Sequence, residues 1–520
     1  MTERSSLLGF LRLAGFAVAT LVLSVGLAGQ GAPATSLLVS GGTVIDGTGA
    51  PGRRADLRIE GDTIVEIAAR LEPRPGERVV DATGLVVAPG FIDMHSHASR
   101  ELNARPDAES QVRQGITTAV VGQDGSSDLP ISDFFDGIER ARPAINYATS
   151  VGAGAVRSVV LGGDFGRAAT PAEIETMAAL VERAMLDGAL GLSSGLEYDP
   201  GFYAQPEEMV ALARVVARYG GFYSSHVRDE EHEAFAAWRE AIDVGRRAGV
   251  RVEISHIKLA VKSVWGKAVE GLKILEDARR EGLTVMADWY PYTYWQSAMY
   301  VLIPERDFEN REMWTSGLAD IGGAANVLVT GYRPDPTYNG RTLEEIARLR
   351  GQDAVTAVIE MIREAGPGIG IIGTSMDEED LATFVAHPQV LICSDGSIAG
   401  QHPRGYGSFP RVLGRYVREG QVLSLEAAVA KMTGRSADQL GLEDRGRLAP
   451  GRKADVVVFD AGTIADRGTK QDPDQMPVGV QHVIVNGTLV LDGGRPTGTR
   501  PGRGLRRQGG GMGTGGEVGR

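Results

Sequence analysis

The 520-residue chain is short of cysteine, with Cys393 alone. That excludes a disulfide framework within the chain and a cysteine zinc knuckle, so any metal must be held by His, Asp or Glu. Positive charge is also in deficit. Against 67 Asp and Glu stand 54 Lys and Arg, a formal net charge of −13. This argues against nucleic acid as the main partner. Beyond the N-terminal segment no run is apolar enough to span a bilayer, so no other membrane attachment is expected. The remaining composition, 42% hydrophobic and 23% charged, is ordinary for a globular protein. The length exceeds one compact core and predicts a large domain plus a smaller one.

The two ends of the chain differ from the rest. Arg4 and Arg12 precede an apolar run from Leu13 to Gly29, followed by small residues including "APA" at Ala32 to Ala34. This pattern predicts a Sec-type signal peptide over residues 1–34 and an exported protein, periplasmic or secreted; the competing reading is an uncleaved anchor, for which the run is at the short edge of a spanning length. There is neither a twin arginine nor a lipobox cysteine. Residues 497–520 are rich in Gly and Arg ("RGLRRQGGGMGTGG") and are expected to form a disordered tail.

Between these ends two textures alternate. Residues 36–88 hold short β runs ("SLLVSGGTVID", "ADLRIEGDTIVEIA") broken by Gly-Gly and Gly-Asp turns, and residues 445–496 repeat them ("KADVVVFD", "HVIVNGTLVLDGG"). One small composite β-sandwich built from both stretches is expected. Over residues 89–444, apolar runs alternate with amphipathic helices. Eight candidate strands fall at about 87–95, 116–124, 144–152, 189–195, 220–226, 250–256, 283–289 and 388–395. Runs apolar on both faces and separated by helices indicate a parallel sheet. Eight such units predict an α/β fold, a (β/α)8 barrel. The stretch at about 290–387 is too long for one crossover and is expected to be an insertion.

The chemistry collects at the strand ends. "GFIDMHSH", Gly90 to His97, ends the first strand with two histidines. On a strand, residues i and i+2 point to one side, so His95 and His97 aim at one place. A core has no use for that, because a buried imidazole is costly unless paired. The second strand leads to Asp124, the fourth to Glu197 and Tyr198, the fifth to His226 and Arg228, the sixth to His256 and Lys258, and the eighth to Asp395. Four of the eight histidines thus lie on the rim that carries catalysis in such barrels. Imidazole and carboxylate ligands suit zinc or a similar divalent ion, one or two of them. Such an ion lowers the pKa of water and polarises a carbonyl. Asp395 would then take the proton from the attacking water and hand it to the leaving group.

These residues resemble the amidohydrolase superfamily and, within it, the N-acyl-D-amino-acid deacylase branch. The resembling stretches are "PGFIDMHSH", "RQGITTAVVG", "SSGLEYDPGFYA", "SHVRDE", "ISHIKLA", "YPYT", "SDG" and "HPRGYGSFPRVLGRYVRE", spread from Ser36 to about Pro496. The resemblance implies a metal-bearing barrel with a composite β-sandwich. It implies that His95 and His97 hold one metal position and His226 and His256 the other, with Asp395 catalytic. Lys258, Arg404, Tyr198 and one of Tyr290 or Tyr292 match positions that grip a substrate carboxylate. The chemistry agrees, since a carboxylate wants a cationic fork and hydrogen-bond donors. Asp124 departs from the branch, which has a metal-binding cysteine there. Other amidohydrolases bridge two metals with a carboxylated lysine from strand four. That is excluded here, because the first lysine of the chain is Lys258. A bridge would be Asp124 or Glu197, with Asp124 favoured because it aligns with the cysteine.

The remaining candidates are plainer. Lys258 lies two residues beyond His256, which favours a site role, and Arg228 has the same spacing from His226. Arg404 is also open to a bracing role in its loop. His232, His387 and His482 read as surface or loop residues, His402 as a loop organiser, and Cys393 as inert core. "WYPYTYW" suits either core packing or an acyl pocket. The leading expectation is a metal-dependent hydrolase of N-acyl-D-amino acids, with a small-molecule substrate as its partner. The alternatives are a dipeptidase or cyclic-amide hydrolase of the same superfamily, and a non-catalytic metal-binding protein.

Overall fold

The computed structural model describes residues 36–507. The expected signal peptide, and the tail beyond residue 507, lie outside the described residues. Among the described residues, no helix is long and apolar enough to cross a membrane.

Strands from residues 36–89 and 456–496 meet in one nine-stranded sheet. Strand Val86–Pro89 is its meeting point. It pairs in parallel with Ser36–Val44 and antiparallel with Val456–Phe459. Ser36–Val44 also carries Arg78–Asp81 along the same edge. Its register with Arg53–Glu60 shifts between Val39 and Gly42, where its other side passes from one partner to the next. Leu57, Ile59 and Val80 from the first stretch bury against Val456, Val458 and Ile484 from the second. The composite domain is therefore one continuous sheet wrapped over a shared apolar core.

The chain passes from this sheet into the barrel at Gly90. A Cβ there would meet the Thr117 side chain at 2.2 Å, so the approach needs glycine. The first barrel strand is Phe91–Asp93, followed by Ile116–Val121 and by Asn146–Thr149, which continues as Val151–Gly152. Then come Gly191–Gly195, Phe222–His226, Arg251–Ile254, Val285–Trp289 and Val390–Ile392. Each is parallel to the next. The first and eighth strands are joined just beyond their ends. The Asp395 amide donates to the His95 carbonyl at 2.8 Å, and the His97 amide to the Gly396 carbonyl at 2.8 Å. Pro171 and Pro206 start outer helices, as expected of a residue with no N–H to satisfy.

The insertion after the seventh strand holds a three-stranded antiparallel sheet, Tyr294–Ala298, Gly370–Thr374 and Val327–Gly331, backed by helices. It ends earlier than residue 387. Helix Glu378–Ala386 packs outside the barrel on helix Ala268–Arg280. Parallel strands need a crossover helix, and this one serves the seventh and eighth.

The expected disorder from residue 497 is corrected for the first part of the tail. Arg503 and Leu505 bond on either side of Tyr147, with Tyr147 N to Arg503 O at 2.9 Å and Leu505 N to Tyr147 O at 2.7 Å. Arg506 lies 4.0 Å over the Phe135 ring. The Asn486 side chain donates to the Asn146 carboxamide and to the Pro501 carbonyl at 2.7 and 2.9 Å, tying this arm to sheet and barrel.

Candidate active site

The functional side chains stand where the barrel strands stop. The first strand ends at Asp93, so His95 and His97 occupy the turn beyond it, not the strand itself. Their rings still meet, edge to face, with centroids 5.5 Å apart. His226 is the last residue of its strand. Asp124, His256 and Asp395 each follow a strand end in a left-handed backbone conformation, with φ of +54°, +35° and +50°. Few non-glycine residues adopt this, and its cost is tolerated mainly at functional sites.

Asp124 lies at the centre. Its Oδ2 is 3.1 Å from His97 Nε2, and its Oδ1 is 3.3 Å from His95 Nε2 and 3.4 Å from His256 Nε2. His226 Nδ1 is 3.0 Å from His256 Nε2. Three sets of possible ligand atoms converge, each within 4.8 Å: His95, His97, Asp124 and Asp395; Asp124, His226 and His256; and Glu197, His226 and Glu230. The first two share Asp124.

The residues fit a divalent ion. Asp124 Oδ1 is buried among imidazoles yet receives no hydrogen bond. Ring nitrogens of His226 and His256 face each other across a hydrogen-bond distance, a geometry that a shared cation satisfies. The field demands positive charge. Burial and the Lys258 ammonium disfavour an imidazolium at His256, but Glu230, Asp395 and Asp124 outweigh them and raise its pKa to about 10. Burial disfavours charge on Asp124 too, yet His95 and the other histidines hold its carboxyl well below the usual range.

Glu197 is placed differently from a bridging ligand. Its Oε2 is 2.7 Å from His226 Nε2, the nitrogen facing away from Asp124. It is the acceptor that holds the ring of His226 in place. Glu230 and Asp288 were not singled out by sequence. Glu230 Oε1 lies 3.0 Å from His256 Nδ1 and 2.6 Å from Lys258 Nζ. Asp288 Oδ1 accepts the His256 amide at 2.7 Å, and its Oδ2 is 3.8 Å from His95 Nδ1. Glu230 lies outside any strand, where alternation carries no signal. Asp288 lies within the buried seventh strand, where an acid gives only its cost as a hint.

A cavity of about 1290 Å³ opens above the cluster, and the insertion walls it with Trp295, Tyr300, Val301 and Ile369. Lys258, Arg404, Tyr198 and Tyr290 all line it. Arg404 Nη1 bonds Asp395 Oδ2 at 2.6 Å. Tyr290 lies between the two cations, with Arg404 Cζ 5.0 Å and Lys258 Nζ 5.8 Å from its ring centroid. Its hydroxyl is buried without a partner, and so is Arg404 Nε.

Two expected substrate contacts are corrected. Arg228 is bound to Glu240 at 2.8 Å and to the carbonyls of Phe202 and Ala204, so its fork braces the barrel wall. Tyr292 lies under Arg411, with its hydroxyl 3.4 Å from Asp466 and from the Pro403 carbonyl. Of the tyrosine pair, Tyr290 reaches the cavity. His402 orders its loop as expected, accepting the Arg404 amide at 3.0 Å. His232 and His387 pair with Asp320 and Glu276, away from the cluster.

The amidohydrolase family matches residues 78–273 and 323–491. The chain belongs to it. This amidohydrolase is 40% identical over 499 residues to an N-acyl-D-glutamate deacylase of Alcaligenes xylosoxydans xylosoxydans, covering 91% of this chain and 96% of the relative. It is 37% identical to a D-aminoacylase of the same organism, covering 91% and 97%. Among solved structures it resembles an N-acyl-D-glutamate deacylase from Bordetella bronchiseptica, complexed with zinc and a phosphonate inhibitor that mimics the tetrahedral intermediate. That likeness has a TM-score of 0.83 at 37% identity and covers 91% of this chain and all of the other. The amidohydrolase barrel is thus the scaffold on which these strand-end side chains act.

Proposed function

We propose that this protein is a metal-dependent hydrolase that cleaves N-acyl-D-amino acids to a carboxylate and a free D-amino acid. The observation that carries the reading is the pairing of two neighbouring sites in one cavity. One is the Asp124-centred histidine cluster, and the other is the Lys258–Tyr290–Arg404 group with its unpartnered hydroxyl. The first suits hydrolysis and the second suits a fixed carboxylate. The two relatives supply the substrate class and its handedness.

His95, His97, Asp124, His226 and His256 would hold zinc. When bound, zinc supplies an electrophile for the acyl carbonyl and lowers the pKa of water. Tyr290 and Arg404 orient the substrate carboxylate, and Lys258 adds positive charge beside them. Asp395 presents Oδ1 to the cluster, 3.2 Å from His97 Nε2, while Oδ2 is held by Arg404. Its charge persists despite burial, because Arg404 foremost, then His256 and His97, keep the carboxyl well below its usual range. Ionised, it is in the state that takes the proton of the attacking water, and it would return that proton to the departing amine nitrogen. Trp295, Tyr300 and Val301 line the cavity beside these groups.

The test is amine release from matched N-acetyl-D- and N-acetyl-L-amino acids with zinc-loaded protein. A strong D preference is expected. Release from peptides or cyclic amides alone would replace the reading with a dipeptidase or cyclic-amide hydrolase, and the latter would leave Lys258 and Arg404 without their carboxylate. We also propose export, supported by the basic, apolar and small-residue order of residues 1–34. Activity confined to the cytoplasmic fraction of a producing cell would overturn it.

A further inference from the structure

We propose that Glu230 is a positioning residue that couples the second metal position to the carboxylate grip. The inference rests on the deacylase reading above. His256 turns Nε2 toward Asp124 and His226, and turns Nδ1 toward Glu230 Oε1 at 3.0 Å. An imidazole that binds a cation through one nitrogen keeps its proton on the other, and that proton needs an acceptor. Lys258 Nζ is nearer, at 2.7 Å, but an ammonium has no lone pair to offer. Glu230 Oε1, at 3.0 Å, is the neighbouring group with lone pairs to take it. The same oxygen takes the Lys258 ammonium at 2.6 Å, and Oε2 lies 4.0 Å from His226 Nε2.

One carboxylate therefore serves three groups. It fixes the ring of His256, lies beside that of His226, and neutralises a lysine whose side chain is 4% exposed. Glu197 contacts His226 alone of the four histidines, so it does not share this double role. Without the charge of Glu230, the Lys258 ammonium would face His256 Nδ1 unopposed. It would then move away from Tyr290 or disfavour a cation on Nε2. Metal affinity and substrate affinity are therefore expected to weaken together, which a scaffold salt bridge elsewhere in the fold would not cause.

The experiment measures zinc affinity by chelator competition without substrate, alongside KM and kcat at saturating zinc, for wild type, Glu230→Gln and Lys258→Met. E230Q is expected to weaken zinc binding about 10–100-fold, to raise KM about tenfold, and to lower kcat by less. K258M is expected to raise KM with zinc affinity kept. E230Q with zinc affinity and KM both within about twofold of wild type overturns the proposal, as does a fall confined to kcat. If E230Q does not fold, Glu230→Asp keeps the charge on a shorter stem. Smaller losses in both readings are then expected, and wild-type values in both overturn the proposal. Wild type that binds zinc but releases no amine refutes the deacylase reading while the zinc arm still tests the role of Glu230 toward His256.

Discussion

Asp124, His256 and Asp395 share a backbone conformation that strands do not use, and each places a charged or ligating group over the barrel mouth. The chain leaves the strand direction at the residue where chemistry begins. This is why His256 and Lys258 meet at 2.7 Å although the strand stops at Ile254. Residue types at strand ends were legible in sequence, and so was the cluster. Their partners were not, because Arg228 and Lys258 have the same spacing from a histidine and opposite fates. What separates them is Glu240 on an outer helix and Glu230 in a loop, which only the folded chain brings near. Two outcomes follow at this scale. Asp395→Asn keeps the shape of the side chain but not its proton affinity, so kcat should fall about 10²–10⁴-fold. Zinc should remain at the Asp124–His226–His256 position, and steady-state kinetics with a metal count check both. A near-normal rate would remove Asp395 from the mechanism. Tyr290→Phe removes one donor, so KM should rise about tenfold, the worth of one hydrogen bond, with kcat nearly unchanged. An unaltered KM would mean the hydroxyl does not reach the carboxylate.

Elements carry a different kind of information. Barrel strands could be read because each is a short apolar run between helices, and seven of them begin within two residues of the expected positions; the expected first strand, 87–95, is divided between Val86–Pro89 in the end sheet and Phe91–Asp93 in the barrel. The β domain was legible as a composite of both stretches, but not that it is one continuous sheet joined where Val86–Pro89 pairs with Val456–Phe459. A buried ion pair steadies its edge. Arg58 on strand Arg53–Glu60 reaches Glu77 at 2.9 Å, and the two side chains are 5% and 1% exposed. The Arg58 guanidinium, helped by the Ser36 hydroxyl and the Arg74 amide, lowers the Glu77 pKa to about 2. A depressed carboxylate stabilises the fold above its unfolded pKa near 4.5, and that contribution is lost as pH falls through about 2. Glu77→Gln should therefore cost about 2 kcal/mol at neutral pH. The gap from wild type should close between about pH 4.5 and 2, as read by denaturant titration. A gap that stays constant with pH would show that packing, not charge, holds this edge.

At the scale of the whole molecule, the C-terminal arm is the part that composition misjudged. Glycine and arginine read as unable to form a core, yet the arm needs none of its own. It borrows backbone partners from Tyr147 and an aromatic face from Phe135. Ending the chain after Pro496 should lower the melting temperature by a few degrees, on the order of 1–2 kcal/mol. Zinc affinity should be kept, because the arm contacts the barrel strands far from the histidine cluster in sequence and on other residues. Differential scanning calorimetry checks the first, and an unchanged melting temperature would make the arm a passenger.

The joint between the first and eighth strands has its own consequence. It is made by His95, His97, Asp395 and Gly396 through their amides and carbonyls, three of them the residues whose side chains carry the chemistry. Completing the ring and assembling the catalytic apparatus are thus one event. During synthesis the histidines emerge early and wait for an aspartate made some three hundred residues later. A nascent chain that stops short of Asp395 has no functioning intermediate form. Hydrolysis becomes a readout of whether the barrel has shut, and no partly built version of this protein can attack a substrate before it is whole.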